Sequence, residues 1–478
     1  MRTSAESGGA TRAPATRDQV DAYRFGLRRL EAALVRGDPV PLHEQLRSQR
    51  RAAIAGALVG MLALGGVAIW AQVAPRPDWT RQAVVVGSGS GAMYVVAHEP
   101  DRLVPVANLP AGRLVLAALR AGGASAADPA TAVPVLVADA DLDAAPRTPT
   151  AAVAGATAVR LGGAVIAPRW AVCDTADPES GRGALRTTVV GGAEPVAPSG
   201  GAVLLAVRGG DTWLVTGGRR HRVDLADRAV VSTMGLGGRE PRPASAALLN
   251  ALPEGPPLRT PRIPGAGAAN GPGRVGDVLV GRPAGEGPPT HHVLLSGGAQ
   301  QVGPAVAQTL RAAGSRTREV GPEELAGLPP VEELDVEGWP ETVGPLREAG
   351  DAPVVCGVWS AADGGALLVG SALPVPAGAA GVDLVQADGA GERADAVVLS
   401  PAGGGAVRAT APGRADGAGP LWLVAASGVA YGVADEPTAQ ALGVTAAEPA
   451  PEWALRLLPV GGTLDLAAAR ETVDVLPG

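Results

Sequence analysis

The chain of 478 residues contains no lysine, and all 40 of its basic residues are arginine. A Walker A loop binds phosphate through a lysine, so this kind of nucleotide site is excluded. Histidine is also scarce, and no two histidines show the HExxH spacing of a zinc protease. The sequence therefore offers no pattern for a metal site, a cofactor or a catalytic centre. The five histidines are His43, His98, His221, His291 and His292.

Aromatic residues make up only 3% of the chain, so a folded core must be built from Val, Leu and Ala. Gly and Pro are abundant instead, with 68 and 44 residues, which predicts many turns, short strands and long loops. Beyond residue 73 the chain continues for about 400 residues, which is too long for one compact core. We therefore expect this part of the chain to divide into several modules.

Residues 52–73 contain no charged side chain, and they lie between Arg50 and Arg51 on one side and Arg76 on the other. At 1.5 Å per residue this segment spans about 33 Å, enough to cross a hydrocarbon core of about 30 Å. A cleaved secretory signal would have a shorter apolar region close to the N-terminus. A buried core helix of this length would normally carry some charge. The segment therefore predicts a single transmembrane helix.

Arginine is concentrated before this segment. Residues 1–51 contain ten Arg and six acidic residues, a balance of +4, so a net charge of −7 for the chain leaves −11 for the remainder. The positive-inside rule then predicts a cytoplasmic N-terminus and an extracytoplasmic (periplasmic) C-terminal region. Arg50 and Arg51 would flank the inner end of the span. Trp70 and Trp79 would flank its outer end, where amphipathic rings favour the headgroup region.

The cytoplasmic head is predicted to be disordered over residues 1–15 and helical over residues 18–36. Gly37 is the expected stop of this helix, and Pro39 and Pro41 separate it from a second helix that enters the membrane. The amphipathic helix could rest on anionic lipid or dock on a partner protein, and the sequence leaves both possibilities open. Its apolar residues recur at helical spacing: Val20, Tyr23, Leu27, Leu30 and Leu34.

The two cysteines, Cys173 and Cys356, both lie beyond the apolar segment. In an oxidising compartment the default expectation for such a pair is a disulfide, which here would close a loop of more than 180 residues. Two unrelated buried thiols are the alternative. A metal site would need further ligands, and no His lies near either Cys.

Four segments of the C-terminal region share one pattern: an apolar strand, a β-hairpin with a Gly-containing turn, and a helix-like stretch. Their spacing is irregular, so they do not form a regular solenoid. The long gaps after the first and third segments contain Cys173 and Cys356, which suggests a central domain built from two discontinuous pieces. The four segments begin near Val84, Val203, Val278 and Val407.

Gly87, Gly89 and Ala92 match the spacing of a dinucleotide-binding fingerprint. The fingerprint requires a helix directly after the glycines, because the helix N-terminus receives the phosphates. Here the following residues, Met93 to Val96, predict another strand. A hairpin turn is therefore the better interpretation.

Several short motifs together resemble the EccB family, the membrane component of the actinobacterial type VII (ESX) secretion machinery. The resemblance extends from about residue 16 to the C-terminus and is strongest before residue 175. The motifs are TRDQV at 16–20, YRF at 23–25, LRRLEAALVR at 27–36, LRSQ at 46–49, GAMYV at 91–95, PVANL at 105–109 and WAVCD at 170–174.

The resemblance implies a structural and assembly subunit of the inner-membrane secretion complex. Its partners would be the EccC motor ATPase, EccD, EccE, the mycosin protease and other EccB copies, together with membrane lipid but no nucleic acid. The family pattern also implies four repeats around a central domain, and a disulfide that would here join Cys173 to Cys356. Some EccB proteins carry an ATPase label, so an extracytoplasmic nucleotide hydrolase is an alternative, and a cell-wall binding module is another.

The predicted fold is a membrane-anchored α+β protein. It has short cytoplasmic helices, one transmembrane helix and a β-rich extracytoplasmic region, in which a disulfide-stapled central domain accompanies four small strand–hairpin–helix repeats. The predicted boundaries are 1–51 for the cytoplasmic head, 52–73 for the membrane helix, 80–122, 201–262, 275–328 and 406–470 for the repeats, and 123–200 with 329–405 for the central domain.

Overall fold

The computed structural model describes residues 16–37, 42–73, 77–151, 153, 156, 159–162, 165–176, 185–195, 197, 200–282, 287–389, 391–399, 403–411 and 418–471. The predicted disorder of residues 1–15 and the predicted break at Pro39 and Pro41 lie outside these residues. The chain divides into two compact units, Met1–Arg76 (unit 1) and Pro77–Gly478 (unit 2).

Unit 1 consists of two helices in its described residues, α1 (Arg17–Arg36) and α2 (Leu42–Val73). At the start of α1 the side chain of Gln19 accepts a hydrogen bond from the backbone N–H of Thr16 at 3.1 Å, which satisfies one of the free groups of a helix N-terminus. The helix ends at Gly37, whose φ of 68° is the left-handed conformation that Gly adopts without steric cost.

Unit 2 is built mainly from short strands, as expected from its Gly and Pro content. Its helices are α3 (Leu109–Ala121), α4 (Asp139–Asp143), α5 (Arg228–Thr233), α6 (Ala246–Ala251), α7 (Pro304–Ala312), α8 (Pro322–Ala326), α9 (Glu436–Leu442) and α10 (Glu452–Leu457). Its strands are β1 (Val84–Gly87), β2 (Met93–Ala97), β3 (Arg102–Val106), β4 (Pro134–Val137), β5 (Arg169–Ala176), β6 (Leu185–Gly191), β7 (Val203–Ala206), β8 (Thr212–Thr216), β9 (Arg219–Val223), β10 (Arg242–Pro243), β11 (Ala269–Asn270), β12 (Gly273–Arg274), β13 (Val278–Gly281), β14 (Thr290–Leu294), β15 (Ala299–Val302), β16 (Thr317–Val320), β17 (Val354–Ser360), β18 (Gly364–Gly370), β19 (Gly381–Asp383), β20 (Ala396–Val398), β21 (Gly404–Thr410), β22 (Leu421–Ala425), β23 (Ala430–Gly432) and β24 (Glu448–Pro451).

Four sheets of unit 2 have the same strand order. The first three strands of each form an antiparallel meander, and the fourth strand returns after a helix to lie parallel to the first. The strand–hairpin–helix pattern read from the sequence contains no fourth strand. In particular β4 lies inside the range 123–200 predicted for the central domain, yet it pairs with β1. The four orders are β3-β2-β1-β4, β9-β8-β7-β10, β15-β14-β13-β16 and β23-β22-β21-β24.

Each of these sheets also has a fifth segment, which runs parallel to its third strand and covers the sheet edge formed by that strand. In the first sheet, for example, the backbone N–H of Leu103 donates to the carbonyl of Pro146, and the N–H of Thr148 donates to the carbonyl of Leu103. Each of the four sheets therefore has one covered edge and one edge that ends on its fourth strand. The bridges are Leu103 with Arg147, Arg220 with Glu254, Val223 with Leu258, Ala299 with Pro330, Ala430 with Val460 and Val433 with Leu464.

A six-stranded sheet takes its strands from two distant parts of the chain, in the order β18-β17-β5-β6-β20-β19. Its second and third strands, β17 and β5, pair antiparallel and place Cys173 directly opposite Cys356. The two cysteines form a disulfide although they are 183 residues apart in the sequence. The predicted disulfide is therefore present, and it lies inside the ladder of the sheet.

The alternation of side chains along β5 divides them between two cores. Trp170 and Val172 are fully buried on the face that packs against α6 and joins the largest core of the unit. Ala171 and Cys173 are fully buried on the opposite face, in a smaller core that also contains Cys356. A strand that is buried on both faces reads as a continuous apolar run, as WAVC does here.

Asp174 continues β5 and carries a buried carboxylate. Its Oδ2 accepts a hydrogen bond from the backbone N–H of Ser245 at 2.7 Å, and its Oδ1 accepts from the hydroxyls of Ser245 and Thr187 at 2.8 and 2.9 Å. Ser245 is the N-cap of α6, where its own Oγ accepts from the N–H of Leu248. The carboxylate therefore fastens β5 to β6 and to the start of α6.

Burial raises the pKa of Asp174 to about 6, and the neighbouring carboxylate of Asp395 adds to the rise. Asp395 is buried as well and accepts hydrogen bonds from the backbone N–H groups of Thr187, Asp388 and Gly389. Hydrogen bonds from Ser245 and Thr187 favour the charged form of Asp174, but they offset its loss of hydration only in part.

Asp174 should make the stability of the protein depend on pH. Its folded pKa of about 6 exceeds the ordinary value of 3.8, so the folded state binds more protons between these values than the unfolded state does. The free energy of unfolding should therefore fall as pH rises from 4 to 6, by up to about 3 kcal/mol from this group. Denaturant unfolding of the full chain in detergent, followed by Trp fluorescence, measures this dependence.

The matched variants are Asp174→Asn and Glu341→Gln. The Asn amide can accept from the N–H of Ser245 and donate to the two hydroxyls, so the fold is retained while the titration is removed. Glu341 is exposed, and its substitution should leave the pH dependence intact. If the free energy of unfolding of the Asp174→Asn variant depended on pH as it does in the natural chain, another group would be responsible for that dependence.

Reduction of the disulfide should lower the denaturant midpoint while leaving the folded state in place, because the β5–β17 ladder does not require the bond. The chain-entropy model gives a loss of about 4–5 kcal/mol for a loop of this length. A Cys173→Ala/Cys356→Ala variant should show a comparable loss and no further response to the reductant. Equal midpoints with and without reductant in the natural chain would contradict the expected contribution.

Candidate functional site

The apolar face of α1 is not covered by the other described residues of unit 1. Its five apolar residues are exposed, from 37% for Val20 to 86% for Leu34. Such a stripe of large apolar side chains in water indicates contact with lipid or with another protein. The remaining members of the stripe, which lie between these two residues on the same face, are Tyr23, Leu27 and Leu30.

Helix α2 contains the apolar segment. Gln49–Trp70, 22 residues long, is the one helical stretch in the described residues that is long and apolar enough to cross a membrane, and its most apolar 18-residue window has a mean hydropathy of 2.2. Arg50 and Arg51 lie at its N-terminal end, and Trp70, which is 77% exposed, lies at its C-terminal end. This is the arrangement expected of a span that is anchored by charge at one interface and by an aromatic ring at the other.

Trp79, which was predicted to flank the membrane together with Trp70, belongs to unit 2. It begins a short 3₁₀ turn and is half-buried, with its ring packed against a small core that contains Val85, Tyr94 and Leu142. The side chain of Asp78 accepts hydrogen bonds from the N–H and hydroxyl of Thr80, which holds this turn at the start of the unit. The structure therefore gives Trp79 a packing role, and its contact with lipid stays a prediction.

The glycine-rich turn after β1 already holds an anion, the carboxylate of Asp139. This carboxylate accepts hydrogen bonds from the backbone N–H groups of Gly89 and Ser90 and from the Ser90 hydroxyl, at 2.7 Å for Gly89 and 2.6 Å for the hydroxyl. The hydrogen bond from the Ser90 hydroxyl is the main reason why the pKa of Asp139 lies below its ordinary value. A Cβ at Gly87 would come within 2.2 Å of this carboxylate, so close packing explains the glycine.

Two of the histidines, His221 and His98, serve local structure. His221 is buried, and its Nδ1 lies 3.0 Å from the carbonyl of Pro256, while His98 lies 2.8 Å from the carboxylate of Asp101. Burial lowers the pKa of His221, so its ring is neutral near pH 7. In the part of the chain that the structure describes, no group of three or more His, Cys, Asp or Glu side chains could hold a metal ion.

Comparison with known proteins gives one consistent family. The family model described as "Type VII secretion system ESX-1, transport TM domain B" matches residues 12–478. A relative from Mycobacterium tuberculosis (strain ATCC 25618 / H37Rv), named ESX-5 secretion system ATPase EccB5, is 33% identical over 492 aligned residues. The alignment covers 97% of this chain and 94% of the relative.

Solved structures agree with the sequence comparison. A chain of an intact ESX-5 inner membrane complex is 31% identical, with a TM-score of 0.68 and 98% of both chains covered. A chain of the periplasmic assembly from the ESX-5 inner membrane complex has a TM-score of 0.66 at 31% identity, covering 85% of this chain and 99% of its own length. The EccB3 dimer from the ESX-3 core complex has the same TM-score and identity, with 81% and 99% covered.

One candidate membrane helix and a large β-rich region in the described residues define a membrane-anchored protein. The chain belongs to the EccB family of type VII secretion, since the family model matches almost its whole length. It is therefore an inner-membrane protein with a periplasmic region and a structural and assembly subunit of the secretion machinery.

Sequence reasoning missed two features that organise unit 2: the fourth strand of each small sheet and the buried Asp174. The fourth strands carried little signal, because β10 is two residues long and β24 contains two prolines. A signal for Asp174 did exist, because an acidic residue directly after a buried apolar strand requires nearby hydrogen-bond donors.

Proposed function

We propose that the protein is a single-pass scaffold, with α1 in the cytoplasm, α2 in the membrane and unit 2 in the periplasm. The main support for this orientation is the asymmetric distribution of charge. Residues 1–51 have a net charge of +4, whereas the chain as a whole carries −7. The relative seen in an inner membrane complex covers 98% of this chain and therefore includes the counterparts of both units.

Within unit 2, we propose that the four small sheets are repeats arranged around a central domain formed by the six-stranded sheet. Two features common to all four support this proposal: the shared strand order and the fifth segment that covers the third strand. The natural boundaries of a repeat would then run from its first strand to this covering segment. The first repeat would extend well beyond the limit of 122 predicted from the sequence, to about the bridge at Arg147.

For α1, we propose docking on another subunit on the cytoplasmic side. The uncovered stripe over Val20 to Leu34 supports a contact, and membership of the family suggests EccC, EccD, EccE and the mycosin protease as the neighbours in the complex. Other copies of the chain are further partners, since a related EccB3 is described as a dimer.

Two alternatives gain no support from a specific observation. Relatives are named ATPases, but the chain has no lysine for a Walker A loop. The glycine-rich turn after β1, which has dinucleotide-like spacing, binds Asp139 instead. A cell-wall binding module would fit the position of the repeats, but it rests on that position alone. Neither alternative explains the exposed stripe on α1.

The orientation can be tested with single added cysteines, because the two natural cysteines are bonded to each other. Arg29→Cys lies on α1 and Glu341→Cys lies in unit 2, and both positions are exposed. A membrane-impermeant maleimide applied to spheroplasts should label the Glu341→Cys variant only. After lysis both variants should be labelled. Labelling of the Arg29→Cys variant in intact spheroplasts would reverse the proposed orientation.

The docking role can be tested by changing two residues on each face of α1. Leu27→Gln/Leu30→Gln places polar side chains in the stripe and keeps a good helix former at both positions. Phe25→Gln/Ala32→Gln makes the same number of changes on the opposite face. The first variant should lose co-purification with the other membrane components, by about tenfold or more, whereas the second should retain it.

Membrane extraction of both variants at equal yield controls for loss of the protein. Unchanged co-purification in the Leu27→Gln/Leu30→Gln variant would contradict docking and leave the lipid surface as the contact of the stripe.

A further inference from the structure

The fourth strands form the edges of the four small sheets, and in two of them, β10 and β24, the strand itself is poorly suited to pairing with another chain. In β10 the side chain of Arg242 donates hydrogen bonds to the carbonyls of Ala352 and Pro353, just before β17. In β24 two of the four residues, Pro449 and Pro451, are prolines and cannot donate to a neighbouring strand. Neither edge can readily accept another chain.

The edge of the third sheet is protected by charge. Strand β16 carries Arg318 and Glu319, and both are exposed and form ion pairs, with Glu324 and Arg282 respectively. Charged side chains, prolines and very short strands are the features by which edge strands avoid pairing with other molecules. Three of the four equivalent edges therefore carry such protection.

Strand β4, the edge of the first sheet, is apolar and open. Leu136 is 65% exposed and Val133, just before the strand, is 70% exposed. Because side chains alternate along a strand, these two residues lie on opposite faces of the sheet and border the edge on both sides. In the described residues no strand or isolated bridge pairs with the outer side of β4.

The backbone of β4 also presents polar groups at this edge. The N–H of Ser88, after β1, donates to the carbonyl of Val137 at 2.9 Å, so Val137 points its backbone groups towards β1. In a parallel ladder alternate residues face alternate sides, and the N–H and C=O of Leu136 therefore face outwards. Pro134, the only proline of β4, lies two residues before Leu136 and therefore also faces outwards. Its missing N–H removes one outward donor and leaves the hydrogen bonds to β1 intact.

The surroundings of β4 are acidic. Residues 121–146 contain four Asp and no basic residue. Asp139 is bound by the turn after β1, Asp128 pairs with Arg120 and Asp143 pairs with Arg147, but no ion pair to Asp141 occurs among the described residues. A segment that pairs with β4 would therefore bind more tightly if it carried a basic side chain close to the end of the strand.

We propose that β4 is a docking edge that takes an extended, mainly apolar segment bearing a basic residue, supplied by another protein, as an added strand of the first sheet. The exposed apolar edge can pair with an added strand, and the acidic surroundings favour a strand that carries positive charge. This proposal extends the scaffold role by assigning a partner class to one edge. It involves neither α1 nor the orientation of α2, so its failure would leave those proposals intact.

The test uses the full chain in detergent and a fluorescent probe peptide, Arg-Thr-Val-Thr-Val-Thr-Val-Arg with blocked ends. As the chain is titrated into a fixed low concentration of the probe, we expect a saturable rise in anisotropy with half-saturation below about 1 mM. A second peptide that is N-methylated at every residue keeps the side chains and charge but lacks the donors on both edges, and it should not bind. A third peptide with Glu in place of both Arg should bind more weakly.

Variants at one position test the edge itself. Leu136→Pro removes the outward N–H without breaking the β1–β4 ladder, and it should weaken binding about tenfold or more. Leu136→Thr keeps the N–H and should bind within about threefold of the natural chain. Equal denaturant midpoints of the two variants show that the fold is retained.

The proposal is overturned if the methylated peptide binds as well as the unmodified one, if Leu136→Pro binds normally, or if no saturable binding occurs. Sedimentation of the chain alone tests whether a second copy of this chain occupies the edge instead. Self-association that Leu136→Pro abolishes, together with absence of peptide binding, would assign the edge to a second copy of this chain and contradict the proposal.

Discussion

The antiparallel pairing of β5 with β17 is the contact on which the rest of unit 2 depends. These strands come from distant parts of the sequence, and the second and third small sheets lie between them along the chain. Their pairing closes a long loop, at an entropic cost that rises only slowly with loop length. Once it has formed, β6, β18 and β20 have strands to pair with, and both faces of β5 have cores to bury.

Two further contacts reinforce this pairing. The disulfide between Cys173 and Cys356 reduces the freedom of the unfolded chain. Asp174, the next residue, ties the pair to β6 and to the N-terminus of α6 through buried hydrogen bonds. The motif WAVCD therefore has a physical explanation at each position: two residues for the larger core, two for the smaller core with the disulfide, and one carboxylate for the connection to α6.

Local patterns in the sequence predicted local structure well. The helical spacing of Val20 to Leu34 and the stop at Gly37 match the extent of α1, and the charge-free segment lies within α2. The first three strands of each small sheet were also predicted, because a hairpin is a local structure with a Gly-containing turn.

The disulfide was predicted because the C-terminal region was assigned to an oxidising compartment. The fourth strands could not be found in this way, because their pairing partners lie 30 to 50 residues earlier, as for β4 and β1, and because β10 is only two residues long and β24 contains two prolines. The packing of Trp79 and the burial of Asp174 likewise depend on neighbours that are remote in sequence.

Hydrogen–deuterium exchange of the full chain, resolved by peptide, tests most directly the claim that the β5–β17 pairing organises unit 2. The account predicts that the peptides containing β5 and β17 exchange slowest and at equal rates, and that reduction of the disulfide accelerates both together, ahead of the small sheets. Exchange of β5 and β17 at different rates, or slower exchange in one of the small sheets than in this pair, would contradict the claim.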